Sequence, residues 1–229
     1  MLKNLLWKEY QENKWKLVFC LTVSMAFTVL LFRMRLIPDY ANTIAISTAQ
    51  LFIVPIIFAM DIFSGEMSNR TIYLLFKIPV ERWKIFLSKY LAAASGMALV
   101  FVLNAVLIEI MSQGREADIG FLLKQNLAFG VCAEIIFAWF CVFACQSRSE
   151  AGSITALFAV MIGWGIVMLW SSVCKVVWML HFIPFTIIPL TMLGTYTIKY
   201  DQFIFAQLFA FSTALIIAGY RFTRIRRYL

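Results

Sequence analysis

The sequence has little of what a soluble enzyme uses. Only 14% of its residues are charged, and it contains a single histidine, His181, with no cluster of metal ligands around it. No phosphate-binding loop of the form G-x-x-x-x-G-K-[ST] occurs, so this chain is not expected to bind ATP or Mg itself. The clustered Asp, His or Glu motifs of an intramembrane lipid-modifying enzyme are also missing. We therefore expect no catalytic centre, metal site or cofactor in this chain.

Apolar residues are in large excess. They make up 62% of the chain and give a mean hydropathy of +0.85, whereas a soluble domain is about half apolar and about one quarter charged. Apolar runs of about 20 residues suit a membrane span, and six of them fill most of the sequence at residues 17–37, 43–63, 91–111, 127–145, 153–173 and 202–220. The predicted fold class is an all-α integral membrane protein with six transmembrane helices in a single domain, residues 1–229.

The N-terminal segment, residues 1–16, is predicted to form an amphipathic interfacial helix. Leu5 and Tyr10 fall on its apolar side, while Lys8, Glu9 and Glu12 fall on its polar side. We expect this helix to precede the first span as a separate element.

The basic residues predict the orientation, because Lys and Arg are retained on the cytoplasmic side during insertion. They concentrate in residues 1–16, 64–90 and 221–227, which places both termini in the cytoplasm. Residues 176–193 contain two prolines, and a full crossing there would move the basic C-terminus outside. This segment is therefore predicted to be an outer re-entrant hairpin before span six.

The formal net charge of +8 points to a membrane-lipid partner and not to nucleic acid. The basic residues flank the apolar runs and form no continuous patch, which is the pattern that anionic lipid headgroups attract.

The segment of residues 64–90, between the second and third spans, is predicted to be a cytoplasmic coupling segment. Ser68 can cap a first short helix, Pro79 ends it, and a second helix leads into the third span. Such a stiff segment suits contact with a soluble partner, through candidate contact residues Glu66, Arg70, Ile72, Leu75, Phe76 and Arg82. The alternative is an ordinary loop whose charges only fix the topology.

The same segment resembles the region between the second and third spans of ABC-2 type transporter permeases. That family has an acidic residue, a Gly-Thr or Arg-Thr step, a Leu-Leu pair, a proline, an arginine and a lysine. The matching residues are Glu66, Arg70-Thr71, Leu74-Leu75, Pro79, Arg82 and Lys89. Tyr73 departs from the pattern, since many relatives have Glu there.

The resemblance implies the six-helix permease subunit of an ABC exporter in the bacterial inner (cytoplasmic) membrane. Such a subunit forms a homo- or heterodimer with a second permease subunit and binds a cytoplasmic ATP-binding cassette ATPase, which carries ATP and Mg. The alternative function is a non-catalytic membrane scaffold or immunity protein without an ATPase partner.

Two carboxylates within the predicted spans are candidates for a substrate pathway. Glu134 shares a small-residue face of the fourth span with Gly130, and Glu109 lies near the outer end of the third. Both could line an outer vestibule for a cationic or amphipathic substrate. Alternatively, each is neutral or is paired with Arg115 or Lys124 in a structural role.

Overall fold

The computed structural model of the chain describes residues 2–34, 39–59, 62–63, 76–77, 79–112, 119–145, 150–174, 176–187 and 200–224. All secondary-structure elements in these ranges are helical. They are α1 (Leu2–Met34), α2 (Asp39–Ala59), α3 (Arg82–Ser112), α4 (Ile119–Ala144), α5 (Glu150–Cys174), α6 (Val177–Leu180), a 3-10 helix (Pro184–Thr186) and α7 (Tyr200–Arg224).

Within this described part, six helices, α1 to α5 and α7, are long and apolar enough to cross a membrane. This confirms the predicted all-α class and the number of candidate spans.

Helix α4 lies at the centre of the bundle. It packs against α2, α3, α5 and α7, and 67% of its most apolar stretch is buried inside the protein, against 17% for α5. The outer helices therefore leave large apolar surfaces exposed, as expected for faces that contact lipid.

The helix contacts define two ends of the bundle. Helices α1 and α3 run in parallel, because Glu9 contacts Lys89 near their starts and Thr28 contacts Asn104 further along. We call the end at which α1 and α3 begin the base, and the opposite end the top. Helices α2, α4 and α7 finish at the base.

Helix α1 differs from the prediction, because residues 2–16 are not a separate interfacial helix. They continue without a break into the first span. At 1.5 Å per residue, a helix of 33 residues is about 50 Å long, whereas the hydrocarbon core is about 30 Å thick. The charged first half of α1 therefore extends past the hydrocarbon at the base, alongside the start of α3. Glu9, expected on the exposed polar side, is buried there.

Helix α4 begins at Ile119 and not at residue 127, where the apolar run starts. Gln125 and Asn126, which the sequence analysis left outside the span, are consequently buried inside the bundle. Asn126 bonds to Ser47 of α2. The local hydropathy therefore underestimated the length of the helix.

Residues 176–187 form two short helical turns in place of a spanning helix. Helix α6 has four residues, and Pro184 opens the 3-10 helix that follows. Phe185 is buried and stacks on Phe52 of α2, with ring centroids 5.0 Å apart. The remainder of the predicted hairpin, up to residue 193, lies outside the described residues.

Small residues at the start of α3 permit close helix packing. Ala92, Ala93 and Gly96 are all buried. A Cβ added at Gly96 would lie 2.6 Å from Cε1 of Phe58 on α2, well inside van der Waals contact. Phe58 is itself fully buried, so its ring has no free space to move into.

We expect Gly96→Ala to destabilise the protein by about 1–3 kcal/mol, because the added methyl group overpacks a filled interface. The matched control is Gly163→Ala on α5, where an added Cβ meets nothing within 4 Å. The thermal unfolding midpoints of the two detergent-solubilised variants test this. Equal midpoints would contradict the close approach of α2 and α3.

Candidate functional site

Four residues join the segment before α3 to the end of α7 at the base. The guanidinium of Arg82 lies 4.5 Å from the ring centroid of Phe76, and its Nη1 donates a 2.9 Å hydrogen bond to the carbonyl of Thr223. Phe76 also meets Phe222 edge to face, with centroids 5.7 Å apart. We call these residues, Phe76, Arg82, Phe222 and Thr223, the base joint.

Aromatic rings continue from the base joint into the interior. Phe222 packs against Phe86 of α3, Phe86 stacks on Tyr90, and Tyr90 stacks on Phe137 of α4, at centroid distances of 5.7, 6.3 and 5.4 Å. Offset-stacked and tilted rings at such distances attract one another beyond their apolar burial. This aromatic ladder connects α7, α3 and α4 through filled space.

Two of the predicted partner contacts, Phe76 and Arg82, are therefore engaged within the chain itself. Phe76 is half-buried against the core, and Arg82 is partly buried against α7. The other four candidates, Glu66, Arg70, Ile72 and Leu75, lie outside the described residues. Their role as partner contacts stays a prediction.

A buried ion pair holds the start of α1 against α3. The Nζ of Lys89 lies 3.0 Å from both carboxylate oxygens of Glu9, and the two residues are 2% and 3% exposed. The Tyr10 hydroxyl bonds to Ser95 on the same side, and the Asn13 amide donates to the Glu9 carbonyl. Sequence reasoning missed this pair, because residues so far apart in the chain give no local signal.

Glu134 lies on the predicted inward face of α4. Gly130 on that face packs against Phe101 of α3, and Ala138 is fully buried. The Oε2 atom of Glu134 is buried and has no hydrogen-bond partner among the described residues. Tyr90 of the aromatic ladder rests on Phe137, less than one helical turn away.

The structure does not bring Glu109 together with Glu134. Glu109 is exposed on α3. Because Phe101 faces Gly130, Glu109 lies about 18 Å further towards the top than Glu134, at 1.5 Å per residue along the antiparallel helices. The two carboxylates therefore do not share one vestibule within this bundle.

The upper half of the bundle interior contains a group of buried polar side chains that the sequence analysis did not select. They come from four helices and lie at similar depth. We call them the polar layer: Ser24, Thr28, Ser47, Gln50, Asn104, Gln125 and Asn126.

Part of the polar layer is hydrogen-bonded across helices. The Thr28 hydroxyl donates a 2.6 Å bond to Oδ1 of Asn104, and the Asn104 amide donates to Oε1 of Gln50 at 3.4 Å. The Gln50 amide in turn donates to the Ser24 hydroxyl. These bonds tie α1, α2 and α3 together at one level.

The rest of the polar layer, between α2 and α4, is only partly bonded. Asn126 donates a 3.4 Å bond to Ser47. Both side-chain polar atoms of Gln125, the Oδ1 of Asn126 and the hydroxyl of neighbouring Thr48 have no partner within the described ranges. The sequence analysis considered only charged residues within the spans and therefore overlooked this layer. Gln50 and Asn104, which are amides inside predicted spans, could have indicated it.

Neither a metal-binding cluster among the described residues nor a known relative identifies the function of this chain. The described residues hold no group of three or more His, Cys, Asp or Glu side chains that could bind a metal ion. A scan against protein-family models finds no match for this chain, and neither does a search of curated proteins.

We expect Lys89→Met to destabilise the protein by about 3–5 kcal/mol, because it leaves the Glu9 carboxylate buried without its main counter-charge. The double variant Glu9→Gln/Lys89→Met is expected to recover most of this loss. Thermal unfolding in detergent measures all three proteins.

The matched control for this prediction is Lys84→Met, which breaks an ion pair with Glu81 of the same 3.0 Å length but with both side chains at least half exposed. Its effect is expected to stay within about 1 kcal/mol. A loss for Lys89→Met no larger than this would show that the buried pair does not hold α1 to α3.

Proposed function

We propose that this chain is the membrane-spanning subunit of an ATP-driven exporter of the ABC-2 type. It would work as a dimer with a second permease subunit and with a separate cytoplasmic ATP-binding cassette ATPase. The observation that supports this best is the base joint, which links the end of the predicted coupling segment to both α3 and α7 of a six-helix apolar bundle.

The arrangement at the base suits the transmission of force. Phe76 lies three residues before Pro79 in the coupling segment, and it contacts both Arg82 and Phe222. Closely packed interiors transmit displacement because they contain few voids to absorb it. A partner that moves residues 64–75 would therefore move α3 and α7 through the base joint.

The start of α1 would move with the same unit. The buried pair of Glu9 and Lys89 couples α1 to the first turns of α3, close to the base joint. In this proposal the base of the bundle, where the coupling segment attaches, faces the cytoplasm, in agreement with the distribution of basic residues.

Affinity purification of the tagged chain from its native membrane tests the partner. We expect mass spectrometry to find an ATPase with a phosphate-binding loop alongside the wild-type chain. The double variant Glu66→Ala/Arg70→Ala is expected to lose it, because these charges are the predicted polar contacts.

The control for this experiment is Glu81→Ala/Lys84→Ala, which also removes one charge of each sign but from an exposed pair within the chain. It is expected to retain the ATPase. Loss of the ATPase in both variants would show that Glu66 and Arg70 are not the specific contacts. Absence of the ATPase from the purified, folded wild-type chain would overturn the proposal in favour of the scaffold function.

A substitution in the base joint separates binding from coupling. We expect Phe76→Ala to keep the ATPase bound but to abolish the influence of the permease on ATP turnover, because the contact with Phe222 is lost. The control is Phe205→Ala on α7, whose side chain is exposed on the bundle surface. ATPase rates of the reconstituted complexes measure the effect, and a Phe76→Ala complex with wild-type rates would contradict it.

A further inference from the structure

The polar layer occupies one level of the bundle, with apolar side chains on both sides of it. An apolar cluster lies about one helical turn nearer the top, four residues along each helix from Thr28, Gln50, Asn104 and Asn126. Its members are Phe32, Ile46, Ile108 and Leu122. The main apolar core lies on the other side, four residues nearer the base from Ser24, Gln50, Asn104 and Gln125. The core residues at these positions are Cys20, Val54, Val100 and Phe129.

Burying these polar groups between two apolar layers costs free energy unless each of them has a hydrogen-bond partner. Gln125 is 3% exposed, and neither its amide nitrogen nor its oxygen has a partner in the described part of the chain. The Oδ1 of Asn126 and the hydroxyl of Thr48 are in the same condition at the same level. Buried amides are almost always hydrogen-bonded, to protein or to ordered water.

From this we propose that the polar layer is an internal hydrated chamber that binds neutral hydrogen-bonding groups, such as hydroxyls and amides. The cluster of Phe32, Ile46, Ile108 and Leu122 closes it towards the top, and we call this cluster the apolar seal. The chamber is independent of whether an ATPase binds at the base.

The chemistry of the walls selects the ligand class. The polar layer contributes only hydroxyl and carboxamide groups. Three charged residues are close in sequence to the polar layer or the apolar seal, and all three are exposed on the bundle surface: Lys124, Arg33 and Glu109. A charged ligand would therefore be desolvated without a counter-charge, whereas a neutral donor or acceptor would find amide partners on α2, α3 and α4.

Methyl methanethiosulfonate, a small uncharged reagent that converts a thiolate to a methyl disulfide and releases methanesulfinate, is a suitable probe of the chamber. Ser47→Cys places a thiol in the layer with little change in side-chain volume. After treatment of membranes with this reagent, the protein is denatured, the remaining thiols are labelled with a maleimide, and each site is quantified by mass spectrometry.

The native cysteines provide internal standards in the same molecule. Cys132 is 1% exposed in the main apolar core, and Cys174 is exposed. Because the thiolate is the reactive form and needs water, we expect the thiol introduced at position 47 to react at least about tenfold faster than Cys132. A rate equal to that of Cys132 would overturn the chamber.

A second variant covers the case in which Ser47→Cys lowers the yield of folded protein. Thr48→Cys probes the same level from a half-buried position, with the same expected difference from Cys132. Adding Phe32→Ala to either variant is expected to raise the rate at the introduced thiol severalfold while leaving Cys132 unchanged. An unchanged rate at the introduced thiol would show that Phe32 is not part of a seal.

The ligand class is tested by protection. Glycerol is expected to slow the reaction at position 47, while sodium chloride at matched osmolality is not. Equal slowing by both solutes, or by neither, would overturn the preference for neutral hydrogen-bonding groups.

Discussion

The structure depends most on the cost of burying polar groups in a chain that is surrounded by hydrocarbon. Without bulk water, each buried donor or acceptor needs a partner from the protein or from a trapped water molecule. This requirement explains why the buried ammonium group of Lys89 is paired with the carboxylate of Glu9. It also explains why the side-chain amide of Asn104 is hydrogen-bonded to both Thr28 and Gln50. Among the described residues, the polar contacts between the long helices are therefore concentrated at two levels, the base and the polar layer.

Between these two levels the buried side chains of the described residues are mostly apolar and many are aromatic, and the carboxyl of Glu134 is an exception. The aromatic ladder runs from Phe222 at the base through Phe86 and Tyr90 to Phe137 in the last third of α4. Large rings packed at native density leave little room for independent movement of the helices that carry them. In the proposed transporter, the parts of α3, α4 and α7 that carry the ladder would thus move as one body, and the polar layer lies further towards the top.

The sequence predicted the helical class and the six apolar helices, because hydropathy and length report directly on membrane spans. The close packing at the start of α3, where Gly96 leaves room for Phe58, is also readable locally, because a run of small residues permits close helix approach. The sequence missed the continuation of α1 because charged residues fill the first half of that helix, and it missed the early start of α4 because Lys124, Gln125 and Asn126 interrupt the apolar run. The burial of Glu9 and Gln125 could not be read locally, because it depends on which helix lies opposite.

The polar layer has a further consequence for how these helices can move. Its side chains meet at one depth, with apolar residues one turn away on both sides in all four helices. Sliding one helix by a turn, about 5.4 Å, would set Asn104 against apolar side chains and leave its amide unbonded. Buried polar residues fix register in coiled coils by the same energetic rule. We therefore expect α1 to α4 to tilt or rotate about the polar layer, because axial sliding of any one of them would break the hydrogen bonds that it makes within the layer.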